Sequence, residues 1–397
     1  MIDDFVFTSE SVTEGHPDKL CDQISDAIVD QFVSQDPHAM VRAECAVSSA
    51  ILFIAARFRT RAKVDLPHVA RRVIKRVGYD QEDFNAKTCS ILTAPQGFPP
   101  DEYAQFNERE LSEEEIGRIR VKDQVTIFGF ACDQTPVLMP YPIWIANRLS
   151  RRLDEVRHSG ILAFILPDGK VQVGVEYQKR RPSRIHSISI MISHKSTVNY
   201  GQKTLYDDIM ESVIKPVFAT EQIRPDEKTR VFVNPDGPFT GGPSHHSGLT
   251  GRKSGVDTYG EYCRHSGNAL SGKDPSRIDR VGAYIARYAA KNVVGAGLAR
   301  KCEIALSYSI GFAHPVSLQV ESFGTGVFDD ARLTDLVKKH FDFRIAGILR
   351  KFDLRNLPAK NPHGYYQKLA TYGHFGRDDL NPPWEATDKI DELASAK

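Results

Sequence analysis

The chain has 397 residues, 41% of them hydrophobic, with 52 Lys and Arg against 51 Asp and Glu and a formal net charge of +1. That length suits two to four domains of roughly 100 to 200 residues and excludes a lone small module. The balanced charge excludes a global field that would gather nucleic acid or an anionic membrane surface, so any cationic site must be local. Six scattered cysteines without C-x-x-C spacing read as reduced thiols rather than a disulfide framework. Met1-Ile2-Asp3-Asp4 carries acids where a signal peptide needs basic residues, and no apolar run of about 18 residues follows, which points to a soluble cytoplasmic protein with no membrane partner.

In chain order, Gly15-His16-Pro17-Asp18-Lys19 leads into Leu20, Ile24, Ala27, Ile28 and Phe32, a helical spacing with proline in its first turn. The run from Ala46 to Phe58 reads as strand, and Val69, Val73 and Val77 as a helix stopped by Gly78. The segment from Gln96 to Lys122 is rich in proline and charge and reads as an exposed linker or lid, with a short helix between Leu111 and Ile119. A strand at Thr126–Ala131, a long helix ending near His158, an alternating strand at Val171, Val173, Val175 and Tyr177, and its continuation at Ile188–Ile192 follow. A helix near Leu205–Phe218, a strand at Val231–Val233, a helix from Ile278 to about Ala299, strands at Cys302–Ile310 and Val316–Val320, and one helix from Leu333 to Phe352 complete the pattern. Lys389–Lys397 is polar and is expected to fray. The expected fold is α/β of the α+β type, three similar domains of mixed sheet plus helices over residues 4–103, 119–234 and 236–380, with segments exchanged between them.

Three motifs carry chemistry: Gly15–Lys19, Gly248-Leu249-Thr250-Gly251-Arg252-Lys253 and Ser271-Gly272-Lys273-Asp274-Pro275-Ser276. Each joins flexible backbone to charge, as a metal-bound polyphosphate requires. Neither glycine-rich segment is a Walker A loop, because Asp274 follows Lys273 and Arg252 separates Gly251 from Lys253; Gly295-Ala296-Gly297 lacks the third glycine of a dinucleotide fingerprint. Mg²⁺ takes only one or two protein carboxylates, and Asp18 and Asp279 suffice for it. His16 is placed to donate to a developing oxyanion, and Phe239, beside a glycine turn, is either core or a stacking platform for a purine. No basic, aromatic-interleaved patch supports nucleic-acid binding.

Over almost the whole chain these residues resemble the S-adenosylmethionine synthetase (methionine adenosyltransferase) family, from Phe7-Thr8-Ser9-Glu10-Ser11-Val12 to Tyr372-Gly373-His374-Phe375-Gly376-Arg377, with Asp168-Gly169-Lys170 similar to the family's Asp-Ala-Lys segment. The resemblance implies that His16 and Lys170 contact the ATP 5′ oxygen and triphosphate, and that Arg252, Lys253 and Lys273 hold phosphates. It also implies that Asp168 and Phe239 bind the nucleotide, Asp18 and Asp279 take Mg²⁺, and Glu44 belongs to a K⁺ site beside Ser271. It implies a pseudo-threefold fold of three α/β domains and a homodimer whose two active sites draw on both subunits, with tetramer formation left open. The implied reaction is attack of an acceptor sulfur on C5′ of ATP, expelling triphosphate that is then cleaved to diphosphate and phosphate. A thioether carries no proton, so orientation and leaving-group neutralisation do the work.

The acceptor side departs from the family pattern. Arg57 stands where relatives have an acid, Phe98 where they have a glutamine, His246 for an aspartate, Arg277 for a lysine, and the lid motif survives as Val121-Lys122-Asp123-Gln124-Val125, leaving Asp123 for an ammonium. Methionine or a methionine-like compound is the expected acceptor. The alternatives are a more anionic or amine-lacking acceptor held by Arg57, His246 and Arg277, a noncatalytic partner of a synthetase, and a triphosphatase without an acceptor.

Overall fold

The computed structural model describes residues 3–99, 106–195 and 201–396. Its strands form three sheets, ordered β1-β6-β7-β8, β4-β3-β2-β9 and β11-β10-β5. The strands are β1 (Phe5–Val12), β2 (Met40–Ser48), β3 (Ile51–Arg59), β4 (Ser90–Gly97), β5 (Val125–Cys132), β6 (Ile165–Gln178), β7 (Arg181–His194), β8 (Arg230–Val233), β9 (Gly248–Leu249), β10 (Lys301–Tyr308) and β11 (Ser317–Glu321). Each sheet borrows a strand distant in sequence: β1 joins β6, β9 joins β2 and β5 joins β10. Helices of eight residues or more are numbered α1 (Pro17–Gln35), α2 (Leu66–Val77), α3 (Tyr141–His158), α4 (Gln202–Ile209), α5 (Ile278–Gly295), α6 (Asp330–His340) and α7 (Ile345–Phe352). This is the mixed α/β, three-sheet arrangement expected from the sequence. Among the described residues, no helix is long and apolar enough to cross a membrane.

The local chemistry explains the elements that matter for the site. His16 caps α1, its Nδ1 accepting the Asp18 N–H at 3.2 Å, and Pro17 supplies the first turn. Asp65 caps α2, and Gly78 at φ 92 ends it. The alternation Val171, Val173, Val175, Tyr177 is buried, and β6 turns into β7 through Lys179 and Arg180, both at positive φ as a tight hairpin turn needs.

Sequence reading and structure differ in four places. The run Ala46–Phe58 is two strands, because Ser49 at φ 50 turns the chain and pairs Ser48 with Ile51. Strands β1, β4 and β9 were not foreseen. The single helix expected over Leu333–Phe352 breaks after His340: Phe341 and Phe343 are both buried, and Asp342 accepts the Arg344 N–H at 3.0 Å, so the chain runs extended before α7 begins. The tail does not fray throughout, since Leu393 is fully buried and Glu392 bonds His340 at 2.7 Å. In the Gln96–Lys122 segment, residues 100–105 lie outside the described set, and Glu113–Ile116 forms the short helix.

The sheet β4-β3-β2-β9 positions the site. Its inner face, with Val41, Ala43, Cys45, Val47, Leu52, Ile54 and Ala56, packs into the main core with α1 and α2. Its outer face is open and partly apolar: Ile51 is 50% exposed, Phe53 42%, Leu92 55% and Leu249 44%.

Candidate active site

Two charged clusters lie at opposite ends of β2. At one end, Val47 pairs with Gly248. A Cβ on Gly248 would come within 2.1 Å of Pro17 O, so only glycine lets the second motif pack onto the start of α1. Asp18 Oδ1 accepts the Leu249 N–H at 3.0 Å and is ion-paired with Arg252 Nε at 2.8 Å. Lys253 Nζ lies 3.0 Å from Glu10. His16 is buried, and its ring is tilted 58° to that of His246 at 4.8 Å. Burial, reinforced by His246, Lys253, Lys170 and Lys19, lowers the His16 pKa to about 2. With Nδ1 accepting from Asp18, the neutral ring carries its proton on Nε2 and is a donor.

Asp168 lies beside this cluster. Its Oδ2 accepts the Gly242 N–H at 2.7 Å and is 2.8 Å from His246 Nε2, and Ser193 Oγ donates to its backbone carbonyl at 2.7 Å. Phe239, half-buried and bridged to Ser193, flanks Gly241 from the other side: a Cβ there would meet Asp168 Oδ2 at 2.7 Å and Phe239 Cε1 at 3.0 Å. Lys170 is exposed on β6, paired with Val12.

At the other end of β2, Arg42 is bridged to Lys273. Gly272, at φ 79, brings its backbone so close that a Cβ would fall 2.0 Å from Ala43 O. Lys273 Nζ pairs with Asp279 Oδ1 at 2.9 Å. Asp279 Oδ2 is buried without a hydrogen-bond partner among the described residues, which suits a cation. Burial lowers the Lys273 pKa, with Asp279 opposing and Arg42 and Asp123 also within electrostatic reach. Glu44 pairs with Arg42 at 2.9 Å on the open face. Arg277 covers the Phe98 ring at 5.3 Å and, with Asp123, Met40 and Ile278, lines a cavity of about 190 Å³. Arg57 is exposed opposite Arg42.

The sequence-predicted residues therefore fall into two groups: His16, Asp18, Asp168, Lys170, Phe239, His246, Arg252 and Lys253 at one end, and Glu44, Arg57, Phe98, Asp123, Lys273, Arg277 and Asp279 at the other. Arg57 and Arg277 fall in the second group and His246 in the first. The outermost contacts of the two motifs on β2, at Arg42 and Val47, lie about 17 Å of strand apart, while the nearest, Gly272 against Ala43 and Thr250 against Cys45, are two residues apart.

Sequence reasoning missed what holds both ends. Asp18, Asp22, Asp26 and Asp30 recur every four residues along one face of α1, all buried. Asp22 accepts the Gly251 N–H at 2.7 Å, Asp26 the Gly272 N–H at 2.8 Å, and Asp30 the N–H groups of Tyr365, Tyr366 and Gln367 at 2.9 to 3.0 Å. Lys19 is buried between Asp22 and Asp257, and Arg280 pairs with Asp26. The i, i+4 aspartate spacing was the available signal. A larger cavity, about 460 Å³, lies away from both clusters, and its Arg148 and Arg151 are paired with Glu221 and Asp379.

Family models describe this arrangement along most of the chain: the S-adenosylmethionine synthetase N-terminal domain at residues 4–97, its central domain at 118–239 and its C-terminal domain at 240–386. The chain is 48% identical to an S-adenosylmethionine synthase of Synechococcus elongatus over 403 residues, covering 98% of this chain and 97% of that protein. It is also 48% identical to the S-adenosylmethionine synthases of Trichormus variabilis over 406 residues (99% and 97%) and Gloeobacter violaceus over 410 residues (99% and 98%). The chain belongs to the S-adenosylmethionine synthetase family, a family of transferases.

Proposed function

We propose that the protein makes S-adenosylmethionine from ATP and methionine, at two sites each assembled from two subunits. The observation that supports this most directly is that Asp18–Arg252 and Lys273–Asp279 adjoin opposite ends of β2, in a sheet whose outer face is open. A twofold stacking of two such faces sets each Asp18 end over the partner's Lys273 end and covers Ile51, Phe53, Leu92 and Leu249.

In this reading Phe239 and Asp168 hold the nucleoside, and the methionine sulfur attacks C5′ in line with the departing triphosphate. The His16 Nε2–H faces the leaving oxygen, and Lys170, Arg252, Lys253 and Lys273 take up its charge. Asp123, Arg277 and Phe98 border the acceptor. Asp18 and Asp279 would hold Mg²⁺, which when bound neutralises triphosphate charge, and the unpartnered Oδ2 of Asp279 fits that role. K⁺ at Glu44 fits less well, because Arg42 already serves as its counter-ion. The reduced cysteines and the ATP requirement accord with a cytoplasmic setting.

The test is purified protein with ATP, Mg²⁺, K⁺ and methionine, followed by mass spectrometry. S-adenosylmethionine formed together with equal diphosphate and phosphate is expected. Release of phosphate without an adenosylated product, or no turnover of ATP, overturns the reading.

A further inference from the structure

We propose that His16, Asp168 and His246 form a binding site for a divalent transition-metal ion of the Zn²⁺ or Co²⁺ class, distinct from the carboxylates assigned to Mg²⁺. Each of the three offers one ligand atom, and these atoms all lie within 4.8 Å of one another. The closest pair, His246 Nε2 and Asp168 Oδ2, is at 2.8 Å. The second, independent observation is at Asp168, whose side chain is 1% exposed: Oδ1 is buried with no hydrogen-bond partner among the described residues. A carboxylate oxygen is costly to leave in that state, and a cation supplies a partner for it when no nucleoside is bound.

The donor set decides the class of ion. Two imidazoles and one carboxylate suit zinc, cobalt, nickel or iron, whereas Mg²⁺ prefers oxygen ligands and keeps its water. Three protein ligands on one side leave positions open, the pattern of an exchangeable rather than a closed structural site. Binding through His16 Nε2 moves the ring proton to Nδ1, where Asp18 Oδ2 stands 3.7 Å away as the supporting carboxylate that metal-bound histidines commonly use. The weak cap from the Asp18 N–H at 3.2 Å is exchanged for that contact. Metal–ligand bonds of about 2.1 Å require the three atoms to draw together. His246 can supply this movement, because its side chain is 27% exposed on the loop that follows Gly241 and Gly242. Lys253, Lys170 and Lys19 oppose a cation at His16, and the carboxylate partners of Lys253 and Lys19 temper two of the three.

The consequence rests on the adenosyl-transfer reading above. An ion on His16 and Asp168 removes the ring proton donor and occupies the nucleoside's place, so metal and ATP exclude one another and the ion inhibits.

The test titrates metal-stripped full-length protein with Co²⁺ and follows visible absorption. One equivalent with the intense bands of low-coordinate Co²⁺ is expected, displaced by Zn²⁺, by ATP with Mg²⁺, but not by Mg²⁺ alone. His246→Ala should weaken Co²⁺ binding by more than the roughly 10- to 100-fold that loss of a mere supporting group costs. His245→Ala, one residue away and exposed, should leave it unchanged and serves as the folding control. Absence of the bands, bands that survive in His246→Ala, or bands lost only in His245→Ala overturn the proposal. Failure to make S-adenosylmethionine would instead remove the functional reading and leave the metal result standing.

Discussion

Arg252 Nε lies 2.8 Å from Asp18 Oδ1, and this ion pair joins the first turn of α1 to a motif far along the chain. Its two members are unequal: the Asp18 side chain is 2% exposed and the Arg252 side chain 45%. A half-exposed guanidinium contributes little to stability, yet it is free to swing onto a phosphate. Arg252→Ala is therefore expected to lower kcat by about 100- to 1000-fold, as removal of one donor to a developing anion does, with little change in thermal unfolding. Rate assays beside a melting curve check it; a large stability loss with a proportionate loss of soluble enzyme would mean the pair is structural.

Lys19 behaves in the opposite way. It is fully buried between Asp22 and Asp257, and although burial opposes its charge, those two carboxylates raise its pKa well above the ordinary lysine value. Lys19→Met leaves two buried carboxylates uncompensated and is expected to cost about 3 to 5 kcal/mol in urea unfolding. A change below about 1 kcal/mol would show that the acids protonate or rehydrate at little cost.

Glu385 ties the C-terminal segment to α5, accepting from Arg287 at 3.0 and 2.9 Å, from Lys291 at 2.7 Å and from the Gly376 N–H at 2.9 Å. Burial pushes its pKa up, but Arg287 and Lys291 outweigh burial and hold it below the ordinary glutamate value. A carboxylate depressed in the folded state contributes stability that is complete above its unfolded pKa and fades as pH falls through the folded one. Glu385→Gln should thus cost about 3 to 5 kcal/mol at neutral pH and progressively less below the ordinary glutamate range. Urea unfolding at pH 7 and in the acid range measures it, and a difference of constant size at both contradicts the linkage.

The contrast between Asp18 and Asp22 shows what the sequence made legible. Asp18 sits inside a motif whose glycine, proline and charges act over a few residues, so its neighbourhood could be read locally. Asp22 shares the readable i, i+4 aspartate spacing, but its role stays hidden in the sequence because Gly251 and Asp257 reach the Lys19–Asp22 pair only in three dimensions. The same holds for β1, whose burial alternates only after β6 covers it, and for the break at Phe341–Arg344, where tertiary burial of two phenylalanines overrides a helical period. Periodicity sufficed for α1, α2 and β6, where one face meets one core.

The division of Asp18 and Asp279 between the two clusters yields a prediction specific to a shared site. Asp18→Asn and Asp279→Asn should each abolish activity in homodimers, because every site then lacks one carboxylate. In a mixed dimer, one site receives both substitutions and the other receives neither. Dissociating and reassociating equal amounts of the two inactive variants should therefore restore about a quarter of wild-type activity, since roughly half the dimers are mixed and each of those has one intact site of two. Phe53→Glu, placed on the open apolar face, should block both dimer formation in light scattering and this recovery. If each chain instead built its own site, no mixture of the two would regain activity, and recovery that persists in the Phe53→Glu background would place the subunit contact elsewhere.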